Sequence, residues 1–92
     1  MKVNVRIFGS VAEVFGGSHS LELSENSTMN TLINKIAEKS GQPRSGYLGE
    51  FKVGGADLAV ILNGKNIAIL NGLDTILSDK DDVVIMPFVF GG

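Results

Sequence analysis

The first quarter of the chain alternates apolar and polar residues in two short segments. Between residues 3 and 7, every second residue is valine or isoleucine, a period of two that predicts a β-strand with one buried face. Leucine occupies every second position between residues 20 and 24 and predicts a second strand. Between them, Ser10 can cap a helical turn over residues 11–15 that Gly16-Gly17 ends. This part therefore predicts two paired antiparallel strands around a long turn.

One longer helix follows, because apolar residues recur there at helical spacing. Ser27 or Thr28 is expected to cap its N-terminus, and Gly41 is expected to end it. Residues 41–57 are rich in glycine and predict a long irregular connection with a short helix around 45–51. The helix stripe repeats at i, i+3, i+4, i+7 and i+8 and consists of Met29, Leu32, Ile33, Ile36 and Ala37.

The last third of the chain predicts three strands joined by turns. Residues 58–62 form an apolar run typical of a buried strand, and Asn63-Gly64 after it favours a tight hairpin turn. Residues 66–70 are predicted to be the short return strand, ended by a turn at Asn71-Gly72. A final strand is predicted over 83–90, where every residue is apolar.

The order of these elements predicts an α+β fold. One main helix can cover only one face of a sheet, so we expect a mixed sheet of four to five strands with that helix packed across it. A hairpin, a crossover helix and returning strands describe the β-grasp, or ubiquitin-like, topology. We expect a single domain over residues 1–92, with residues 88–92 as a C-terminal tail.

Composition and charge exclude several classes of partner. The net charge is −2, and the eight basic residues are scattered rather than clustered, which argues against nucleic acid. No apolar run approaches the roughly 18 residues of a membrane span. The N-terminal residues lack the apolar core of a signal peptide, so a cytoplasmic location is the expectation.

The chain has few side chains that could catalyse a reaction or bind a metal ion. The chain has no cysteine, which excludes disulfides, thiol nucleophiles and cysteine-ligated metals. Its single histidine, His19, cannot build a catalytic triad or a metal site alone and is expected to be solvated. Asp79, Asp81 and Asp82 lack the glycine and the distal glutamate of a calcium loop and predict a solvated surface turn. No metal site is expected.

The final strand carries more apolar residues than a one-faced core requires. A strand with one face on a helix and the other in water should alternate. The connection 41–57 is expected to cover part of the second face, or Phe88, Phe90 and their neighbours form an exposed patch for a protein partner. The two can both hold, with the patch concentrated toward the tail. Pro87 cannot donate to a sheet ladder and marks where regular pairing weakens.

The sequence closes on Gly91-Gly92, which forms a thin thread without side chains. Four extended residues, 89–92, can reach roughly 13–14 Å and enter a cleft on another protein. The Gly92 carboxylate would become electrophilic once ATP adenylates it. The predicted carrier and partner-binding residues are Gly92, Gly91, Phe90, Val89, Phe88 and Pro87.

Residues 77–92 resemble the closing segment of the MoaD family, the small subunit of molybdopterin synthase. Residues 8–16 and the Leu62-Asn63-Gly64 turn are similar as well. The resemblance implies a β-grasp fold and a Gly92 that is adenylated, converted to a thiocarboxylate and used to donate sulfur to a pterin precursor. It also implies two partners, a MoeB-like adenylating enzyme that uses ATP and a MoaE-like large synthase subunit. The chain itself would bind no cofactor and have no activity alone.

Two departures from the family pattern leave other members open. Phe88 stands where family tails often have a second proline, and the connection 41–57 is longer than expected. The thiamin sulfur carrier ThiS and an archaeal ubiquitin-like modifier conjugated to lysines remain alternatives. A third is a plain interaction module that uses the apolar sheet face.

Overall fold

A computed structural model describes residues 1–39, 41 and 58–87. The strands and helices are β1 (Lys2–Ile7), α1 (Ser10–Phe15), β2 (Ser18–Glu22), α2 (Met29–Lys39), β3 (Leu58–Leu62), β4 (Lys65–Asn66) and β5 (Asp82–Pro87). The five strands form one sheet in the order β2-β1-β5-β3-β4. β1 and β5 run parallel, whereas the other neighbouring pairs are antiparallel. The predicted mixed sheet with one main helix is confirmed.

The alternation in β1 produces one buried face, as predicted. Its valines and isoleucine are buried while the residues between them are exposed. Val5 lies opposite Val83 of β5, and Ile85 lies opposite both Ile7 of β1 and Val60 of β3. This register places these residues on the same face, which we call the inner face of the sheet, whereas Ala59 of β3, also buried, lies opposite Met86 on the other face.

Helix α2 covers the inner face with the predicted stripe, and all five of its apolar residues are buried. Each fully buried aliphatic side chain contributes about 1.5–3 kcal/mol relative to its exposed state, so the stripe is a main source of stability. The buried cluster consists of Val3, Val5, Ile7, Phe15, Leu21, Leu23, Met29, Leu32, Ile33, Ile36, Ala37, Val60, Leu62, Ile67, Leu77, Val83 and Ile85.

Both ends of α2 lie where the sequence predicted. Thr28 directly precedes the helix, and its Oγ1 accepts a long hydrogen bond of 3.4 Å from the Thr31 N–H, an N-cap contact. Gly41 has φ 68°, and its N–H donates to the Glu38 carbonyl at 3.1 Å. A left-handed glycine just after the last turn is the usual way for a helix to end.

The short helix α1 forms as predicted, but its cap differs. Ser10 is the first helical residue and Gly9 is the N-cap, with φ 76° and no side-chain capping bond, so the predicted Ser10 cap is wrong. A positive φ before the helix suits glycine. At the other end, the Phe15 carbonyl lies 2.6 Å from His19 Nε2. His19 lies in a strand, β2, as predicted, but it is half-buried and contacts α1 rather than being fully solvated.

The β3–β4 hairpin turns through Asn63 at φ 49° and Gly64 at φ 86°, as the Asn-Gly pair predicted. The return strand is shorter than the predicted 66–70, because β4 comprises only Lys65–Asn66. Asn66 Oδ1 accepts a hydrogen bond of 2.9 Å from the Ala68 N–H and caps a turn of 3-10 helix over Ile67–Ile69. The Asn66 side chain thus takes a backbone N–H that a longer strand would have used for sheet pairing, and β4 ends there.

Several sequence-based expectations lie outside the described residues. These are the irregular connection from 42 to 57 with its short helix around 45–51, and the tail at 88–92. The single domain over 1–92 likewise stays a prediction.

Candidate functional site

The candidate site is the side of the sheet opposite α2, which we call the outer face. At its centre Val84 of β5 lies between Arg6 of β1 and Ile61 of β3. Val84 and Ile61 are half-buried, and Arg6 is exposed. The outer face therefore presents apolar side chains beside one exposed cation.

Phe8 and Met86 extend the apolar surface toward the end of β5. Phe8 directly follows β1, and its N–H donates to the Ile85 carbonyl at 2.9 Å, which places it beside the end of β5. The Phe8 side chain is 48 % exposed and Met86 is 39 % exposed. Exposed apolar residues that gather at one place on a small protein are typical of a surface that binds a partner.

β5 carries this surface toward the tail. Pro87 is the last residue of β5 and lies opposite Leu58 of β3. On the other side, pairing with β1 has already ended, because the last β1 partner is Ile7 opposite Ile85. The loss of pairing predicted at Pro87 thus occurs toward β1, whereas the ladder with β3 continues through it.

The remaining predicted site residues follow β5 directly in the chain but lie outside the described residues. Their assignment therefore stays a prediction. They are Phe88, Val89, Phe90, Gly91 and Gly92.

Sequence reasoning did not assign Phe8 and Met86 to the site. Phe8 carries a usable signal, since a strand that alternates through Ile7 should be followed by a polar residue. Its position next to the end of β5 depends on the parallel pairing of two strands from opposite ends of the sequence. No local pattern shows that pairing.

The acidic turn before β5 is a structural element. Asp79 Oδ1 accepts a hydrogen bond of 2.7 Å from the Lys2 N–H. Asp81 Oδ1 accepts one of 2.9 Å from Asn63 Nδ2, and its Oδ2 accepts one of 2.7 Å from the Ser78 N–H. Two of the predicted solvated carboxylates therefore fasten β1 and the β3–β4 turn to this turn.

The part of the chain described here offers little chemistry of its own. Within residues 1–39, 41 and 58–87, no three His, Cys, Asp or Glu residues stand close enough to hold a metal ion. No helix in the same ranges is both long enough and apolar enough to cross a membrane. The arrangement is suited to presenting a surface and a strand end to another protein.

Comparison with known proteins agrees with this picture. The model of the ThiS family matches residues 5–92 of the chain. A protein of Archaeoglobus fulgidus, provisionally named a sulfur carrier protein, is 29 % identical to this chain over 98 residues. The match covers 100 % of each chain.

Solved structures share the fold. Subunit 1 of a molybdopterin converting factor from Pyrococcus furiosus, also provisionally named, is 26 % identical, with TM-score 0.71 and coverage of 96 % of this chain and 98 % of that one. Small archaeal modifier protein 1 of Methanosarcina acetivorans is 27 % identical, with TM-score 0.74, and the match covers 99 % of this chain and 96 % of that one.

A third structure is the complex of subunits 1 and 2 of the molybdopterin-converting factor of Helicobacter pylori. The matched chain is 26 % identical, with TM-score 0.64 and coverage of 100 % of both chains. These likenesses identify the five-stranded sheet with its crossing helix as the β-grasp fold. The chain belongs to the ThiS family and is a small ubiquitin-like protein of the ThiS and MoaD sulfur-carrier type.

Proposed function

We propose that the protein is the sulfur carrier of a molybdopterin synthase, with Gly92 as the carrier residue. The family match through residue 92 is the observation that carries this proposal. The likeness to molybdopterin converting factor subunit 1 from Pyrococcus furiosus supports the choice of pathway. The sulfur would go to a pterin precursor in the synthesis of molybdenum or tungsten cofactor.

The chemistry uses the last carboxylate in two steps. A Gly92 carboxylate oxygen attacks the α-phosphorus of ATP, pyrophosphate leaves, and an acyl adenylate forms. Hydrosulfide from the sulfur source then attacks the Gly92 carbonyl carbon, AMP leaves and the sulfur loses its proton to solvent, which gives the thiocarboxylate. Glycine suits both steps, because it places no β-carbon beside the reacting carbon.

Catalytic groups for both steps would come from the partners. ATP binds the activating enzyme, of the MoeB-like class, and the carrier binds no cofactor of its own. A MoaE-like large subunit would receive the tail in its active site. The Helicobacter pylori structure, a complex of two subunits, supports a second-subunit partner.

The outer face would dock the partners while the tail reacts. Phe8 and Met86 lie at the end of the sheet from which residues 88–92 follow. A partner that covers Phe8 and Met86 would remove apolar surface from water. Arg6, exposed on the same face, adds a cation that an acidic partner residue could pair with.

The proposal is tested by the mass of the protein after activation. Incubation with ATP, the cognate activating enzyme and a sulfur source should raise the mass by the difference between a sulfur and an oxygen atom, and the change should map to Gly92. Samples without ATP or without the sulfur source should keep their mass. An unchanged mass with activating enzymes of the molybdopterin, thiamin and modifier classes would refute the carrier function.

A second candidate function is a protein modifier attached to lysines through Gly92. The likeness to small archaeal modifier protein 1 at 27 % identity favours this candidate. Activation by ATP would be shared, so only the acceptor distinguishes the two. Isopeptide-linked conjugates in cell extract would support the modifier, and extracts free of conjugates together with sulfur transfer to a pterin precursor would support the cofactor carrier.

A further inference from the structure

The chain contains two Asn-Gly sequences, at Asn63-Gly64 and Asn71-Gly72. In such a pair the glycine nitrogen can attack the asparagine side-chain carbonyl, because glycine has no side chain to block the approach. A β-carbon added at either glycine would meet nothing within 4 Å, so no neighbouring group crowds the Cα atom at either position. The difference between the two sites therefore lies in the asparagines.

Asn63 is held by its whole side chain. Its Nδ2 donates to Asp81 Oδ1 at 2.9 Å, and its Oδ1 accepts from the Asp82 N–H at 2.9 Å. Its own N–H donates to the Asp82 carbonyl at 2.9 Å. Attack by the Gly64 nitrogen requires the side chain to rotate, so both side-chain bonds have to break first.

Asn71 is exposed, and its side chain makes no hydrogen bond to the described residues. Its backbone is in a short turn, where the Asp74 N–H donates to the Asn71 carbonyl at 3.0 Å. Rotation about ψ of Asn71, which is 24°, moves the Gly72 peptide and so disturbs this bond and those that the Gly72 carbonyl accepts from Thr75. Rotation at Asn63 likewise disturbs the backbone of its turn and must in addition break the two side-chain bonds. The barrier from native contacts is therefore smaller at Asn71 than at Asn63.

We propose that Asn71 is the site of spontaneous deamidation in the folded protein, and that Asn63 is protected by its hydrogen bonds. The Gly72 nitrogen loses its proton to solvent base and forms a bond to Cγ of Asn71. The Cγ–Nδ2 bond breaks, ammonia leaves, and a cyclic imide remains. Water then opens the ring on either side and gives aspartate or isoaspartate, with no oxidant or reductant involved.

Deamidation of Asn71 would disturb hydrogen bonds that connect the turn at 71–75 to the start of α2. The Asn71 N–H donates to Thr75 Oγ1 at 3.1 Å, and the Thr75 hydroxyl donates to the Gly72 carbonyl at 2.7 Å. The Thr75 carbonyl in turn accepts a hydrogen bond of 2.9 Å from the N–H of Met29, which is the first residue of α2. Isoaspartate adds one carbon to the backbone at 71 and shifts this chain of contacts, and either product brings a negative charge near Asp74.

The test is a site-resolved ageing experiment on the full chain in mildly alkaline buffer, without any partner. Trypsin cleavage after Lys65 puts the two asparagines in separate peptides, and the mass of each peptide reports its conversion. In the folded protein we expect Asn71 to convert roughly 10–30-fold faster than Asn63, because two additional hydrogen bonds protect Asn63. In urea the two rates should become similar.

Equal rates in the folded protein, faster conversion at Asn63, or no conversion at Asn71 while both convert in urea would overturn the proposal. Asp81→Ala provides a second check, since it removes the acceptor of Asn63 Nδ2. It should accelerate conversion at Asn63 and leave Asn71 unchanged. If deamidation became faster by the same factor at Asn63 and Asn71, the slow rate at Asn63 would result from the stability of the whole fold, which would contradict the proposal.

The products provide the last readout. The converted chain carries one more negative charge and separates from the parent by ion exchange. Its ratio of folded to unfolded molecules should be about fivefold lower, the equivalent of one lost hydrogen bond. A converted chain with unchanged stability would show that the 71–75 turn does not support α2.

Discussion

The two faces of the sheet differ in what covers them. On the inner face, Val60 is 0 % exposed and Val5 and Ile85 are each 1 % exposed, because α2 packs across them. On the outer side, Phe8 is 48 % exposed and Met86 is 39 % exposed. The sheet thus has a closed apolar inner face and, at the end of its outer face, apolar side chains that are exposed to a partner.

This difference separates stability from function. Apolar surface buried inside stabilises the fold, whereas apolar surface left in water contributes little to it. Residues of the inner face should therefore control whether the chain folds. Residues of the outer face should control what the folded chain binds. Each substitution below tests one side of this division.

The largest effect is expected from Leu32→Ala, which empties a fully buried position of α2. The free energy of unfolding should fall by about 2–5 kcal/mol, a large share of a typical total of about 5–15 kcal/mol. The urea midpoint measures the loss. Lys35→Ala, at an exposed position of the same helix, is the control and should stay within about 0.5 kcal/mol. Equal losses for the two variants would show that the stripe is not the source of stability.

A smaller effect is expected at the end of the sheet, from Asn63→Gly. Glycine keeps the positive φ of this turn, so the change removes chiefly the two side-chain bonds to Asp81 and Asp82. Thermal unfolding should show a loss of about 1–2 kcal/mol. Asn71→Ala is the comparison, because that side chain makes no bond to the described residues and its φ of −106° suits alanine. A loss at Asn71 as large as that at Asn63 would contradict the account of the two turns.

The smallest effect on stability is expected from Phe8→Ser on the outer side. About half of this ring is already in water, so the free energy of unfolding should fall by only about 1 kcal/mol, half of what a fully buried phenylalanine contributes. The unfolding curve of the isolated chain measures it. A destabilisation as large as that of Leu32→Ala would place Phe8 with the core and remove the distinction between the faces.

The sequence predicted best the elements whose cause is local. The α2 stripe and the Asn63-Gly64 turn each follow from residues within a few positions of one another. The prediction of a strand over 66–70 was wrong for an equally local reason, because Asn66 Oδ1 accepts a hydrogen bond from the Ala68 N–H and caps a 3-10 turn. The predicted Ser10 cap failed because Gly9, which tolerates a positive φ, takes the N-cap position.

The site was less predictable, because it is assembled from distant parts of the chain. The predicted residues from Pro87 to Gly92 came from one continuous segment. Phe8 reaches this segment only through the parallel β1–β5 pairing, which depends on the packing of the whole sheet. The hydrogen bonds of Asp79 and Asp81 were hidden for the same reason, since their partners are far along the chain.

The division between the two faces is tested most directly by the rate of Gly92 thiocarboxylate formation as a function of carrier concentration. Wild type and Phe8→Ser would be compared with the cognate activating enzyme, ATP and a sulfur source. We expect Phe8→Ser to raise the half-saturating concentration about 5–30-fold, because an aromatic docking contact is lost, with little change in the maximal rate. Identical curves, or a lower maximal rate at unchanged half-saturation, would contradict a docking role for the outer face.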